Sequence, residues 1–200
     1  MNYELLFREA DHVYMLDGQV LPCVSDLCAP LHRAVYENVP KWQMEAAAER
    51  GTAVHLATQS LDAAGRAECP EEYLPYVLAY RNFLKEHSAV WGMTEKPLYH
   101  PEYLFAGTPD RYGLLDGKHT LLDIKTTYSV YKPLCTGQLN LYRLILIARG
   151  FSVEKMVILH LRKDGTYRLV PIKEDAPLAM ALITIYNALP KRRKKGDNYV

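Results

Sequence analysis

Residues 121–125 read LLDIK, an apolar run that closes on an acid and a lysine. In a strand, alternate side chains share a face, so Asp123 and Lys125 project together while Leu122 and Ile124 enter the opposite layer. Asp110 opens the preceding predicted strand, and a short turn separates the two, so antiparallel pairing brings Asp110 within reach of Asp123. Two converging carboxylates form a hard oxygen site suited to Mg²⁺ or Mn²⁺. Such a site suits hydrolysis of a phosphodiester. A bound cation neutralises phosphate charge and lowers the pKa of water, and a neighbouring ammonium orients that water or stabilises developing negative charge. The plainer alternative is a turn-capping Asp110 beside a surface salt bridge between Asp123 and Lys125.

Two residue pairs at helical spacing bear on the choice. Gly51 and His55 stand four apart, on one face of a predicted helix, with the imidazole directed outward. Gln138 and Tyr142 repeat that spacing on the helix after the LLDIK strand, where they can line a cleft and hold a phosphate or the lysine. Each pair also has an ordinary packing interpretation.

The elements that must position these groups follow from periodicity. Asp17 and Gly18 lie between two short apolar-rich runs, a hairpin signature. Ser25 or Asp26 is placed to cap a short helix over residues 27–31, which Pro30 limits. Residues 41–64 read as a helix interrupted only by Gly51, which costs about 1 kcal/mol there; a close backbone neighbour or a break between two helices would account for it. A helix over 71–87 carries a stripe of Tyr73, Val77, Tyr80 and Leu84. Strands are predicted at 97–106, 110–115 and 120–125, then a helix at 135–149, strands at 153–161 and 167–170, and a helix at 178–189. This order makes an α/β or α+β domain with a central mixed sheet packed by helices.

Two hundred residues with 49% apolar and 24% charged content suffice for one packed domain. We divide it as a single catalytic domain over 1–190, with a hairpin and helices in 1–90 and the catalytic sheet and its helices in 91–190, followed by a basic tail over 191–200. No run approaches eighteen apolar residues and the N-terminus lacks a signal-peptide pattern, so a cytoplasmic protein without membrane attachment is expected. Cys23, Cys28, Cys69 and Cys135 are irregularly spaced without a zinc-site pattern, which predicts buried free thiols. The formal charge of +1 is uninformative, but Lys191, Arg192, Arg193, Lys194 and Lys195 concentrate positive charge able to steer a polyanion. Tyr128, Tyr131 and Lys132 follow the LLDIK strand and are placed to stack on or steer an unpaired strand.

Taken together, GTAVH at 51–55, Glu95, GTPD at 107–110, DIK at 123–125 and QLNLY at 138–142 resemble the PD-(D/E)XK nucleases of the phage exonuclease and RecB-like type, the broad group that contains lambda exonuclease. The N-terminal HVYMLDGQVLPCVSDL resembles the leader segment of prophage members. The resemblance implies a restriction-endonuclease-like core. It implies Asp110 and Asp123 as metal-binding acids, Lys125 as the catalytic lysine, His55 near or on the metal, and the Ile124 carbonyl completing the metal shell. Gln138 and Tyr142 would support the site and contact DNA, and Glu95, placed before the first core strand, would be an auxiliary acid of unspecified role. Iron-sulfur relatives use three late cysteines, and this chain has none after Cys135. The activity implied is exonucleolytic cleavage of DNA from its ends, in phage or prophage recombination, by a ring trimer or a monomer, with a single-strand annealing or recombination protein as partner. An endonuclease on the same fold and a catalytically silent DNA-binding or assembly module are the competing readings.

Overall fold

The structure is a computed structural model that describes residues 4–190; the basic segment 191–195 lies outside the described residues. The chain opens with a three-stranded antiparallel sheet of Leu5–Arg8 (β1), Val13–Leu16 (β2) and Gln19–Leu21 (β3). Asp17 and Gly18 turn β2 into β3 with φ of 48° and 81°, the left-handed pair that such a turn requires. The predicted hairpin is therefore present, and β1 adds a strand to it. The short helix expected at 27–31 resolves into Val24–Leu27 (α1) and Ala29–Tyr36 (α2). Pro30 sits in the first turn of α2, where its missing N–H costs no helical bond.

Lys41–Ala64 (α3) runs unbroken through Gly51, and a Cβ built there meets nothing within 4 Å. Neither explanation offered for this glycine holds, since there is no break and no close neighbour. Leu74–Glu86 (α4) follows a single 3₁₀ turn at Glu71–Tyr73. Next come Ala89–Thr94 (β4), Leu98–Tyr99 (β5), Ala106–Gly107 (β6), Arg111–Leu115 (β7), Lys118–Lys125 (β8), Lys132–Ala148 (α5), Lys155–Leu161 (β9), Tyr167–Ile172 (β10) and Ala176–Ala188 (α6).

Two departures concern the middle of the chain. The strand expected over 97–106 is two dipeptides, β5 and β6, paired with each other across a tight turn in which the Leu104 N–H donates to the His100 carbonyl. β4, a true sheet strand, was not anticipated. It lies on the sheet edge, and its register shifts between Trp91 and Met93, which destroys the simple alternation that periodicity reads.

The central sheet has the order β10-β9-β8-β7-β4, with β8 and β9 parallel and the other pairs antiparallel. This is an α+β fold with a mixed sheet between helical layers. On one face Leu122 and Ile124 pack in a cluster with Val54 and Ala57 of α3 and Val77, Tyr80 and Phe83 of α4. On the other, Leu121, Met156 and Ile158 pack with Leu139, Ile145 and Leu146 of α5 and with Leu182 of α6. Leu121, Leu122 and Ile124 are essentially inaccessible, and burying such a side chain contributes about 1.5–3 kcal/mol. A slip of one residue in β8 would exchange its two faces, so this burial also pins the direction of Asp123 and Lys125. Among the described residues, no helix is long and apolar enough to cross a membrane. Cys23, Cys28 and Cys135 are buried free thiols, and Cys69 is partly exposed.

Candidate active site

The polar groups gather where β7 begins and β8 ends. The antiparallel register sets Arg111 opposite Leu122, which leaves Asp110 beside the last residues of β8. Asp110 Oδ2 accepts the backbone N–H of Ile124 at 2.6 Å, and Asp110 is buried. The neighbouring GTPD segment is held from two sides. Tyr14 of β2 and Thr108 share a hydrogen bond at 2.8 Å, and the Ala106 N–H donates to the Pro22 carbonyl at 2.8 Å. Gly107 is required here, because a Cβ would lie 2.6 Å from Cε1 of Tyr142 and 2.8 Å from Cγ2 of Val24.

His55 reaches the same place from α3. Its Nδ1 lies 3.0 Å from Oε1 of Glu95, and its Nε2 lies 3.2 Å from the Ile124 carbonyl oxygen and 3.7 Å from Asp110 Oδ2. Burial lowers the imidazole's pKa, but Asp110, Glu95 and Asp123 outweigh it and raise the value to about 9. Glu95 follows β4 rather than preceding the first core strand. It has φ of 46°, a left-handed backbone uncommon for glutamate. Its N–H donates to the Asp110 carbonyl at 3.0 Å, which ties the loop after β4 to the start of β7.

Ligand atoms of His55, Glu95 and Asp110 all lie within 4.8 Å of one another, a grouping able to hold a divalent cation. Asp123 stands beside this group rather than in it. Its carboxylate is buried, and neither oxygen receives an aligned hydrogen bond. Its counter-charge is the Lys125 ammonium, 2.7 Å from Oδ2. Lys125 also donates to Gln138 Oε1 at 3.1 Å, so α5 orients the lysine. Burial disfavours the Lys125 charge, but Asp123 and Asp110 reverse that and hold its pKa above the ordinary lysine value. Burial likewise raises the pKa of Asp110 and of Asp123, opposed by His55 in the first case and by Lys125 in the second. Tyr142 is buried near Asp110 and Asp123, and burial raises its phenol well above the usual value. Buried carboxylates with too few donors are costly unless a cation compensates them. The donor set of imidazole nitrogen, carboxylate oxygens and the nearby Ile124 carbonyl therefore suits a hard or borderline divalent metal.

The eight candidate site residues thus lie together: His55, Glu95 and Asp110 as one group, Asp123 with Lys125 and Gln138 as another, with the Ile124 backbone and Tyr142 close by. A supporting layer was not anticipated. Arg111 is fully buried and donates to Asp62 Oδ2 at 2.6 Å, to Thr58 Oγ1 at 3.1 Å and to the Asp110 carbonyl at 2.8 Å. Its guanidinium also lies 3.5 Å from Glu95 Oε1, and the Tyr80 hydroxyl is 2.8 Å from the Asp62 carboxylate. The available signal was an arginine in register with Leu115, on the inward face of β7.

No family model matches the chain, and no curated protein matches it. Among solved structures, an alkaline exonuclease (LHK-Exo) from Laribacter hongkongensis is similar at 16% identity and a TM-score of 0.42, over 72% of this chain and 91% of that one. A likeness this remote bears on neither the fold nor the chemistry.

Proposed function

We propose that this chain is a metal-dependent deoxyribonuclease of the PD-(D/E)XK type, a single nuclease domain over residues 1–190 that removes nucleotides from DNA ends. The observation that carries the reading is the pairing of a half-buried Lys125, its Nζ 2.7 Å from Oδ2 of a buried, under-hydrogen-bonded Asp123, beside the His55, Glu95 and Asp110 group. Preference for ends, a setting in phage recombination, a ring trimer and a single-strand annealing or recombination partner rest on the motif resemblance alone.

His55, Glu95, Asp110 and Asp123, with the Ile124 carbonyl, would hold Mg²⁺ or Mn²⁺. Such an ion, when bound, neutralises phosphate charge and acidifies water. The protein's own groups do the rest. Lys125 is held against Asp123, its Nζ 2.7 Å from Oδ2. It presents a fixed positive charge to the phosphate oxygens as negative charge develops. Gln138 holds that ammonium in place from α5. Tyr142 is buried against Gly107, near Asp110 and Asp123, and Arg111 fixes the backbone at Asp110.

The test is incubation of end-labelled linear duplex, its separated strands and a closed circular plasmid with Mg²⁺, Mn²⁺ or EDTA, with Asp123→Ala alongside. Metal-dependent loss of linear DNA with intact circles, absent in the variant, is expected. Cut circles would replace the exonuclease with an endonuclease on the same site. No metal-dependent cleavage of any substrate would leave a binding or assembly module.

A further inference from the structure

Beside the site, and sharing none of its acids, lies a groove of about 1070 Å³. It begins where β8 leaves the sheet, since the parallel register places Lys125 next to His160 and both Thr126 and His160 line it. From there it crosses to the turn between β9 and β10. Five cations line it: Arg50 from α3, Lys132 from the start of α5, Arg162 and Lys163 from the turn, and Arg168 from β10. All but Arg50 are exposed. The one carboxylate in the wall, Asp164, is turned onto Thr166, accepting its N–H at 3.0 Å and its hydroxyl at 2.6 Å. Among the described residues, Arg8, Lys41, Arg111, Lys125 and Arg143 ion-pair with carboxylates, and none of the five groove cations is with them. A protein of net charge +1 therefore sets five cations against one carboxylate in a groove on one side of its acidic site.

Tyr128 stands in the same wall, and its side chain is fully exposed. The loop that carries it is fastened below: His160 Nε2 donates to the Thr127 carbonyl at 2.7 Å, and Arg50 Nε donates to Thr126 Oγ1 at 3.4 Å. A free aromatic face on an anchored loop, amid cations, is the combination that binds unpaired strands: cations track the phosphates and the ring stacks on a base. A duplex keeps its base faces covered and would use only the charges.

We infer that this groove holds the unpaired continuation of the strand whose phosphate lies at the Lys125 site, with Tyr128 as its stacking platform and Arg162 and Lys163 on its backbone. The inference rests on the nuclease reading for the relation to a scissile phosphate, but strand binding itself does not depend on cleavage.

The test uses the full chain in EDTA, so that nothing is cut, with fluorescein-labelled oligothymidylate of twenty nucleotides and a twenty-base-pair duplex followed by anisotropy. Arg162→Glu with Lys163→Glu should weaken single-strand binding at least about tenfold and flatten the slope of log affinity against log salt by about 1.4, at about 0.7 for each phosphate no longer neutralised. Tyr128→Ala should weaken single-strand binding by about fivefold or more with the salt slope unchanged, and leave duplex binding as it was. These positions are exposed, and unchanged urea midpoints would exclude misfolding. Single-strand affinity unmoved in both variants, or equal losses on duplex and single strand in Tyr128→Ala, would overturn the inference. Hydrolysis of bis(p-nitrophenyl) phosphate with Mn²⁺ separates the two readings. The groove variants should retain it, whereas a wild-type protein that binds oligothymidylate through Tyr128 yet hydrolyses no diester would refute the nuclease and keep the groove.

Discussion

Asp110 accepts the backbone N–H of Ile124 at 2.6 Å, so the acid immediately before β7 is bolted to the strand that carries Asp123 and Lys125. The same carboxylate lies 3.7 Å from His55 Nε2. One residue therefore links the sheet, α3 and the candidate metal group. Asp110→Ala should lower Mn²⁺ affinity by at least about a hundredfold, since losing groups that merely support ligands costs about 10–100-fold. Calorimetric titration of the folded variant checks this, and unchanged affinity would remove Asp110 from the ligand set.

Lys125→Ala should behave differently. The acids remain, so Mn²⁺ should still bind, while kcat on DNA falls by about 10²–10³, the usual loss for one donor aimed at a developing anion. Parallel calorimetry and single-turnover cleavage separate the two effects. A variant that cuts at the wild-type rate would refute the assigned role.

Arg111 is a structural prediction. It is fully buried, and Arg111→Met would leave Asp62 with Tyr80 as its remaining partner. Breaking a buried pair from one side costs about 3–5 kcal/mol, whereas replacing both members by apolar groups is often tolerated. Urea unfolding should show that loss in Arg111→Met and partial recovery in Arg111→Met with Asp62→Leu. A single variant as stable as the wild type would mean the network contributes nothing to folding.

The two glycines near the site should respond oppositely to alanine. At Gly51 the space is open and the backbone helical, so Gly51→Ala should stabilise by about 0.4–1 kcal/mol. At Gly107 a Cβ collides with Tyr142 and Val24, and such overpacking costs about 1–3 kcal/mol. Thermal or urea midpoints moving in the same direction for both would contradict the packing described.

Asp116 provides the pH dependence. The hydrogen bond from His87 Nδ1, at 2.8 Å, and one from the Ser88 N–H hold its carboxyl below the ordinary value of 3.8. A depressed folded value means that its contribution is fully present above the unfolded pKa and is lost as pH falls through the lower folded one. Asp116→Asn, which tolerates the positive φ of this turn, should be less stable than the wild type at pH 6, and the difference should shrink below about pH 3.8. A difference that does not change with pH would assign the effect to the turn and not to the charge.

The sequence by itself determined the helices, the strands that flank Asp-Gly turns, and the face of β8 that Asp123 and Lys125 share. Those features follow from local rules: a period of 3.6 or 2, a turn that needs positive φ, a strand whose apolar residues must be covered. Tertiary structure decided what local rules do not contain. β4 escaped because a bulge breaks its alternation, and Glu95 joined His55 and Asp110 because a left-handed residue after that bulge turns the chain back onto β7. Arg111 became a buried pillar only because α3 supplies Thr58 and Asp62 from about fifty residues away along the chain, at hydrogen-bonding distance in space. Likewise Tyr128 and Arg162, isolated in the sequence, share one groove because parallel pairing of β8 with β9 brings both strands to finish at the same end of the sheet, where Arg50 of α3 reaches Thr126.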